Sequence, residues 1–322
     1  MSYKLSVIIP AFNVEKYIFS AIFSLGSWLN SDDVEIIVVD DGSSDRTKLE
    51  VDRAITNFKI NNLKIYSREN VGLSESRNFG LSVSNGEYVY FFDSDDVLIN
   101  NIDLKIMEVI KQQRPKLIGF GYENKNQVDG ITSAHRLIED NRSLVLLDTT
   151  DILEKLLLSP EDPVAGYVWT KVFKKSLIGD LSFRDMNYED MPFFLEYISR
   201  LNNFKMVYIN EIGYSYIQRG GSITHTPSEA NLLDKLTGFE IAEELIHRID
   251  DVNTNVITAN FQREIIGYLW VASLNRTLGS EQIRNRVQNF LSKNFGNMIS
   301  HKTTLYIKMK YLFYLFETKW QR

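Results

Sequence analysis

The segment Tyr88-Val89-Tyr90-Phe91-Phe92-Asp93-Ser94-Asp95-Asp96 joins a continuous apolar run to an acidic turn. A short apolar run that ends in turn residues is typical of a strand buried on both faces, as the strands of parallel sheets are. Ligands of open α/β sheets bind outside the carboxyl ends of such strands. The segment therefore predicts a buried strand whose acidic end is a candidate binding site.

The residues before this segment repeat the pattern of a strand followed by a helix. Strands are predicted at residues 5–9, where Pro10 ends the apolar run, at 34–39 and at 63–66. Helices are predicted at 14–29, at 74–84, and from a cap at Ser44 or Asp45 to about residue 58. This alternation predicts a parallel, doubly wound sheet of the α/β class. The strand at 34–39 also ends in an acidic turn, Asp40-Asp41-Gly42-Ser43, so both acidic turns are expected at one edge of the sheet.

The later residues change to a purely helical pattern. A helix at 102–114 and a strand at 116–120 continue the α/β alternation, and helices at 151–158 and 192–200 follow a weaker stretch. From about residue 228 onward the spacing predicts helices alone, at 232–249, 260–274, 281–295 and 304–320. We expect a boundary near Pro227 between an α/β domain of residues 1–227 and a helical region of residues 228–322.

The composition of the 322 residues excludes several classes of protein. There is no cysteine, which excludes a disulfide scaffold, a thiolate zinc site and a cysteine nucleophile. The net charge is −6, and nucleic acid is not an expected partner, because phosphate binding requires a basic face. The apolar run at the N-terminus is too short for a signal peptide, and no run reaches the roughly 18 residues of a membrane span. A cytoplasmic location is therefore expected.

Each acidic turn has two interpretations when it is considered alone. Asp93-Ser94-Asp95 can bring two carboxylates to one point at a strand end, where hard oxygens suit Mg²⁺ or Mn²⁺ together with substrate phosphates. The same residues are also a common turn and cap before a helix. In the turn at 40–45, a carboxylate could accept the N3–H of a uracil, and Asp45 as a simple helix cap is the alternative.

Four motifs taken together resemble one known family. They are Ser6–Asn13, Val38–Asp45, Glu69–Asn78 and Phe91–Asp96, in that order and at that spacing. Over residues 4–100 they resemble the nucleotide-binding half of the family-2 glycosyltransferases, which have the GT-A fold with its Rossmann-like sheet. The resemblance implies that residues 1–100 bind a nucleotide sugar and that residues 101–227 bind an acceptor, before a C-terminal helical extension.

The resemblance also implies roles for residues of the first half. It places Asp41 on the base of the donor, Asp93 toward the ribose or the sugar, and Asp95 on a Mn²⁺ or Mg²⁺ ion. The set implied to bind the nucleotide sugar in this half is Pro10, Ala11, Asn13, Asp41, Asn70, Arg77, Asp93, Ser94 and Asp95.

A second set of motifs resembles the acceptor half of the same family. The segment 169–173, with Trp169 and Lys171, is similar to one near the acceptor cleft, and Glu189-Asp190 is similar to a motif whose aspartate is the general base. Asp190 would then deprotonate an acceptor hydroxyl, because inversion at the anomeric carbon requires a base on the face opposite the leaving group. The structural alternatives are a core position for Trp169 and a helix-capping pair for Glu189-Asp190.

The segment Tyr214–His225 resembles the family's segment that closes over the donor phosphates. The resemblance implies that Arg219 and Ser222 clamp the pyrophosphate, while the glycines at 220 and 221 give the backbone its freedom. His225 is a candidate third metal ligand, and a surface histidine is the alternative.

The end of the chain is basic and rich in aromatic residues. Between residues 301 and 322 there are five Lys and Arg side chains but only one acidic residue, Glu317. The segment 302–322 is typical of a helix that lies on an anionic membrane surface as a peripheral contact. A helix that packs into the C-terminal bundle, or against the partner in a homodimer, is the alternative.

Together these features predict an inverting, metal-dependent glycosyltransferase that moves a hexose. The expected donor is a UDP-linked sugar, and the expected acceptor is a glycan or lipid-linked oligosaccharide of a bacterial surface polysaccharide such as capsule, exopolysaccharide or O-antigen. A non-catalytic subunit that binds a nucleotide sugar is the alternative, although the intact Asp95 and Asp190 argue against it. A nucleotidyltransferase is disfavoured, because residues 10–15 lack the Gly-rich, basic phosphate loop that such an enzyme requires.

Overall fold

Strands and helices alternate along the chain in the computed structural model. It describes residues 3–126, 130–137, 142–158, 164, 166–201, 203–218, 229–246 and 248–249, and five single positions between 281 and 292. The strands are β1 (Leu5–Ala11), β2 (Val34–Asp40), β3 (Leu63–Ser67), β4 (Tyr88–Phe91), β5 (Val97–Leu98), β6 (Leu117–Asn126), β7 (Gly130–His135), β8 (Leu144–Asp148), β9 (Lys171–Lys174) and β10 (Lys205–Gln218). The helices are α1 (Ile18–Ser24), α2 (Thr47–Phe58), α3 (Leu73–Val83), α4 (Ile102–Gln113), α5 (Thr149–Leu158), α6 (Lys175–Ile178), α7 (Asp190–Ser199) and α8 (Glu229–Ile246).

The described strands form one sheet with the order β3-β2-β1-β4-β9-β6-β10-β5, and β7 and β8 pair with β6 and β10. The strands β3, β2, β1 and β4 are parallel, whereas β9 runs antiparallel to both of its neighbours. The expected α/β fold with a Rossmann-like sheet is confirmed. Since β2 and β4 lie on either side of β1, their acidic ends lie at the same edge of the sheet, where the strand order reverses.

The alternation of side chains along β4 explains its uninterrupted apolar sequence. Val89 and Phe91 lie in one hydrophobic core, on one face of the sheet, while Tyr88, Tyr90 and Phe92 lie in the core on the other face. Successive side chains of a strand point to opposite faces, so a strand covered on both sides needs apolar residues throughout. Each fully buried side chain of this size contributes about 1.5–3 kcal/mol to folding.

The sequence predicts that Pro10 ends the first strand, but β1 does not stop there. It continues to Ala11, and Pro10 is aligned with Val39 of β2. The pairing of β1 with β4 ends at Ile8, so Pro10 lies where β1 has lost its neighbour on that side. A proline is tolerated there because no pairing with β4 requires its missing N–H.

The helix expected at residues 14–29 is shorter in the structure. α1 ends at Ser24, and a 3-10 turn at Gly26–Trp28 follows, in which Gly26 has a φ of +56°. The carboxylate of Asp103 on α4 accepts hydrogen bonds from N and Oγ of Ser27, at 2.7 and 2.6 Å. The prediction of one continuous helix was wrong, because this tertiary contact turns the chain.

The strand β10 has no counterpart among the predicted strands. It spans 14 residues and pairs in parallel with β6, with register shifts on either side of Ile212. These irregularities, together with Gly213, break the regular alternation by which strands are recognised. Of the helices predicted after residue 228, α8 corresponds to the first. The expected boundary at Pro227, the predicted helices at 260–274 and 304–320, most of 281–295 and the segment 302–322 lie outside the described residues.

None of the helices within the described residues is both long enough and apolar enough to cross a membrane. The longest of them, α8, has 18 residues, but it carries several charged side chains. The chain is thus built, over the described residues, around the two cores on either face of its sheet.

Candidate active site

The acidic turn after β2 is fixed to the loop before α3. Asp41 is buried, and its two carboxylate oxygens accept hydrogen bonds from the backbone N–H groups of Val71 (2.9 Å) and Gly72 (2.8 Å). Gly42 has a φ of +76°, and a Cβ there would lie 2.9 Å from the backbone N of Asn70. The turn therefore needs glycine at this position, and Asp41 orders the loop that carries Asn70.

The end of β1 is tied to the same turn. Asn13 adopts a φ of +52°, and its side-chain Oδ1 accepts a hydrogen bond from the N–H of Ser44 at 2.9 Å. Its own N–H donates to Oγ of Ser43 at 3.0 Å. Asp45 accepts a hydrogen bond from the N–H of Thr47 at 2.9 Å, but the N-cap residue of α2 is Arg46, so the predicted cap at Ser44 or Asp45 was placed too early in the chain. Of the predicted residues here, Pro10 and Ala11 are buried, and Asn13 and Asn70 are exposed.

The acidic turn after β4 contains side chains in different environments. Asp93 and Asp95 are half-buried, whereas Ser94 and Asp96 are buried. Asp96 accepts hydrogen bonds from the hydroxyl of Tyr214 (2.6 Å) and the N–H of Ile217 (2.7 Å), and so ties this turn to β10. Burial and the nearby charge of Asp93 raise the pKa of Asp96 to about 8, although these two hydrogen bonds oppose the shift.

Asp96 is a residue whose environment the sequence did not indicate. In the sequence it is one of four polar residues in a row, Asp93–Asp96, and nothing distinguishes it from its neighbours. Its burial depends on β10, which follows more than a hundred residues later and was not recognised as a strand. The sequence carried no signal for this environment, because the burial of Tyr214, whose hydroxyl needs a partner, is itself a result of tertiary packing.

Arg77 lies at the centre of the candidate site, with only 2% of its surface exposed. Its Nη2 donates to Oδ1 of Asp93 at 2.9 Å, its Nη1 donates to Oδ1 of Asp190 at 2.8 Å, and Nη1 also contacts Glu189. Burial works to lower the pKa of Arg77, but the charges of Asp190, Asp93 and Glu189 outweigh burial and raise it. Arg77 was expected to grip the nucleotide, and this stays a prediction; the hydrogen bonds that the structure gives its guanidinium are with these three carboxylates.

Helix α3 can bring Arg77 to this position because it packs closely on β1. A Cβ at Gly80 would overlap Cγ2 of Ile8, so a glycine is needed where the helix crosses the strand. The same helix holds the chain at 183–184: Ser74 Oγ donates to O of Arg184, and Asn78 Nδ2 donates to O of Phe183. The segment that leads to Glu189 is thereby held against α3.

Asp190 is the first residue of α7, but its carboxylate does not cap this helix. Oδ1 accepts from Arg77, and Oδ2 accepts from the backbone N–H of Val168 at 3.1 Å. The neighbouring Glu189 makes no side-chain capping bond either, and Tyr188 before it has a φ of +63°. Within the described residues, the contacts of this pair thus favour a role in the site over the capping alternative.

The electrostatic environment of Asp190 favours the protonated form of its carboxyl group up to nearly neutral pH. Burial raises the pKa of Asp190 to about 7, with further contributions from the charges of Glu189 and Asp93, while Arg77 opposes the shift. Three carboxylates thus share a single guanidinium, so one of them holds a proton more readily than an isolated carboxyl group would. A group that titrates near neutral pH can both accept and release a proton.

Trp169 and Lys171 are both buried, and they follow Val168, whose N–H binds Asp190. Trp169 is 6% exposed, and its ring stacks on Tyr167 and Tyr214, with ring centroids 4.8 and 4.5 Å apart. Lys171 is fully buried, and its ammonium group lies 4.8 Å from the centre of the ring of Phe194. The environment of Trp169 is therefore that of a core residue, which is the structural alternative given above. Because Lys171 is fully buried, it could affect an acceptor only indirectly.

The remaining predicted site residues, Arg219, Ser222 and His225, lie outside the described residues. Over the part of the chain that the structure describes, no group of three or more His, Cys, Asp or Glu side chains is arranged to hold a metal ion. The half-buried Asp95 offers hard oxygen ligands at the sheet edge. This fits Mg²⁺ or Mn²⁺, which commonly take only one or two protein carboxylates and complete their shell with substrate phosphates and water.

Comparison with known proteins identifies the family. Residues 6–177 match the family described as "Glycosyl transferase family 2", which is more than half of the chain. The chain belongs to this family. The predicted resemblance is thereby confirmed.

Individual relatives agree with this assignment to the family-2 glycosyltransferases. The "Uncharacterized glycosyltransferase EpsJ" of Bacillus subtilis is 31% identical over 69% of this chain, and the aligned part is 63% of that protein. An Escherichia coli "UDP-Glc:alpha-D-GlcNAc-diphosphoundecaprenol beta-1,3-glucosyltransferase WfgD" is 28% identical over 56% of this chain and 74% of its own length. The chain therefore spans less than two thirds of the length of EpsJ.

A solved structure shows the same fold. The crystal structure of "S. aureus TarS 1-349 in complex with UDP" superimposes with a TM-score of 0.70 over 99% of this chain and 90% of that chain. The sequences are 21% identical, so this likeness concerns the fold. It agrees with the Rossmann-like sheet described above.

Proposed function

We propose that this family-2 protein is an inverting, metal-dependent glycosyltransferase that moves a hexose from a UDP-linked sugar to a glycan or lipid-linked oligosaccharide acceptor. The observation that carries the proposal is the carboxylate of Asp190, held between Arg77 and the N–H of Val168. Arg77 also holds Asp93 at the end of β4. The side chain of Arg77 thus joins the proposed base, Asp190, to the turn after β4 that is proposed to bind the donor.

The proposed reaction is a single displacement in which Asp190 is the general base. Its carboxylate takes the proton from an acceptor hydroxyl as that oxygen forms a bond to the anomeric carbon. The bond between this carbon and the phosphate oxygen breaks, and the nucleoside diphosphate leaves with the electron pair. A pKa of about 7 suits this step, since a base is most effective when its pKa lies near the working pH.

The donor is proposed to bind at the carboxyl edge of β1, β2 and β4. Asp41 and Asn13 order the loops there through backbone hydrogen bonds, so a nucleoside would meet a site that is already formed. The UDP bound in the TarS crystal structure supports a uridine nucleotide, and the name of WfgD supports a hexose and a diphosphate-lipid acceptor. These properties are those of the relatives, and we propose them for this chain.

Asp95 is the residue proposed to hold the divalent ion. When bound, the ion would neutralise the charge that develops on the departing diphosphate. Asp93 keeps its place beside it through the hydrogen bond to Arg77. Arg219, Ser222 and His225 remain proposed donor-side residues from the sequence resemblance alone.

We also propose where the enzyme works. A role in surface polysaccharide synthesis would place it at the cytoplasmic face of the membrane. The segment 302–322 would supply peripheral contact there, because lysines combined with aromatic residues suit a membrane interface. A homodimer contact through the same segment is the competing proposal.

The proposal is tested with a panel of UDP- and GDP-linked hexoses in the presence of Mn²⁺, scored for release of the nucleotide. A UDP-hexose that releases UDP faster with an acceptor than without it is the expected result. Tight binding of a nucleotide sugar with no turnover on any acceptor of a broad glycan set would instead support a non-catalytic binding subunit. If nucleotide is released from a GDP-hexose and from none of the UDP-hexoses, the donor is GDP-linked and the proposed UDP-linked donor is wrong.

A further inference from the structure

The loop at residues 185–189, which leads to Asp190, is bound by side chains of helix α8. Oδ2 of Asp234 accepts hydrogen bonds from the backbone N–H and from the side-chain Nδ2 of Asn187, at 3.0 and 2.8 Å. The same Nδ2 also donates to Oδ1 of Asn231, one turn earlier on α8, at 3.1 Å. The helix thus fixes both the backbone and the side chain of this loop residue.

Tyr188, the next residue of the loop, has an unfavourable backbone conformation. Its φ is +63°, in the left-handed region that a bulky side chain rarely adopts. Its ring also lies against α8, with Nζ of Lys235 4.9 Å from the ring centre. The two residues that follow, Glu189 and Asp190, are the carboxylates that contact Arg77. Contacts on both sides of Tyr188 therefore hold the chain in a conformation that it would not take alone.

Helix α8 is itself packed against α7, the helix that begins with Asp190. Leu232 of α8 and Phe193 of α7 lie in the same buried core. A Cβ at Gly238 would lie 3.6 Å from Cε of Met191, which is an ordinary contact distance. The helix is thus a firm support from which Asp234 can hold the loop in one position.

We propose that Asp234 is a positioning residue for Asp190 and that it acts through Asn187. By fixing the loop, it brings the carboxylate of Asp190 between Nη1 of Arg77 and the N–H of Val168, at 2.8 and 3.1 Å. A small displacement of a reacting group can lower a rate strongly, so the position of this carboxylate matters for catalysis. The catalytic meaning rests on the proposed function, in which Asp190 is the base.

Hydrogen exchange at the N–H of Val168 measures the position of Asp190 without a substrate. This N–H is buried and bonded to the carboxylate, so its exchange in the full chain, followed by NMR, should be slow. Asp190→Ala gives the rate without the bond. Asp234→Ala is expected to exchange at least about tenfold faster than the wild type. The matched control, Glu240→Ala, removes a carboxylate of the same helix that binds Arg286 at 2.7 Å, and should leave the exchange unchanged.

An exchange of the two side chains tests whether the pair itself is responsible. Asn187→Asp places two carboxylates against each other, and their repulsion should speed the exchange at Val168. The double variant Asn187→Asp/Asp234→Asn again opposes one amide to one carboxylate, and the new amide can accept the backbone N–H of the loop. It should bring the exchange close to the wild-type rate, because the effects of two residues in contact are not additive.

A folded Asp234→Ala protein whose Val168 N–H exchanges as in the wild type would overturn the proposal. If this variant does not fold, the variants at Asn187 decide. Recovery in the double variant supports the proposal, whereas wild-type exchange in Asn187→Asp, or equally fast exchange in the single and the double variant, rejects it.

Transfer assays separate a failure of this proposal from a failure of the proposed function. With Asp190 as the base, kcat of Asp234→Ala should decrease about tenfold or more while KM for the donor stays the same. Faster exchange at Val168 together with unchanged transfer would keep Asp234 as the residue that positions Asp190, and would instead reject Asp190 as the base.

Discussion

Nη1 of Arg77 donates a hydrogen bond of 2.8 Å to Oδ1 of Asp190, across 113 positions of the chain. The same guanidinium binds Asp93 through Nη2. One buried side chain on α3 therefore joins the end of β4 to the start of α7. In the proposed reaction these two places hold the donor and activate the acceptor, so Arg77 would set the distance between them.

Replacement of Arg77 tests this linkage through stability. Arg77→Met leaves Asp93, Glu189 and Asp190 together without their cation, and we expect a loss of about 3–5 kcal/mol in the free energy of unfolding. The loss should be larger at pH 8 than at pH 5, because protons can replace the missing positive charge at the lower pH. Urea unfolding at both pH values measures it.

The matched control for this prediction is Arg248→Met. Arg248 pairs with Glu244 one helical turn away, and their side chains are 64% and 67% exposed. An exposed pair of this kind contributes about 0.3–0.5 kcal/mol. Equal losses for the two arginine variants would show that Arg77 does not hold the three carboxylates together.

The pH dependence of transfer follows from the raised pKa of Asp190. A general base works only when it is ionised, so kcat should decrease by about tenfold for each pH unit well below 7. Above pH 7 the carboxylate is ionised and the rate should level off. A rate that stays constant from pH 5 to 8, measured at saturating donor and acceptor, would contradict the assignment.

Asp95→Asn tests the proposed metal ligand. With Mn²⁺ present, calorimetry should show at least about tenfold weaker binding of UDP than in the wild type, because one hard oxygen ligand is lost. In EDTA the two proteins should bind UDP alike. A loss of the same size in both conditions would mean that Asp95 contacts the nucleotide without an ion.

Asp41→Asn tests whether the loop at 70–72 prepares the nucleoside site. The variant places an amide NH₂ against a backbone N–H, and we expect it to lose about 1–3 kcal/mol of stability and to bind UDP more weakly. Asp103→Asn is the control, since Asp103 also accepts a backbone N–H but lies on α4. It should lose stability while its affinity for UDP stays unchanged; weaker binding in both would point to a general loss of structure.

Local patterns in the sequence were sufficient to predict the parallel part of the sheet. β1, β2 and β4 are buried on both faces, so each is a short and mainly apolar run, with Ser6 of β1 and Glu35 of β2 as polar exceptions, and β2 and β4 lead into acidic turns. The acidic turns at Asp41 and Asp93 were placed correctly at one edge for the same reason. β10 was missed, because its bulges and Gly213 remove the alternation on which strand prediction depends.

The sequence predicted which residues belong to the candidate site, but not which of them contact each other. The motif around Asp190 indicated a carboxylate of interest, but the sequence does not show that Arg77 lies against it. The burial of Asp96 and the hydrogen bond from the N–H of Val168 to Asp190 were likewise invisible, since both depend on contacts between separate segments of the chain. Such relationships follow from tertiary packing and have no local pattern.

The most direct test of the central claim compares Asp190→Asn with the wild type on the donor that the panel identifies. Loss of a general base lowers a rate by about 10²–10⁴-fold, so transfer should decrease by at least about a hundredfold. The affinity for UDP in the presence of Mn²⁺, measured by calorimetry on the same samples, should remain as in the wild type. Transfer close to the wild-type rate in Asp190→Asn would contradict the account.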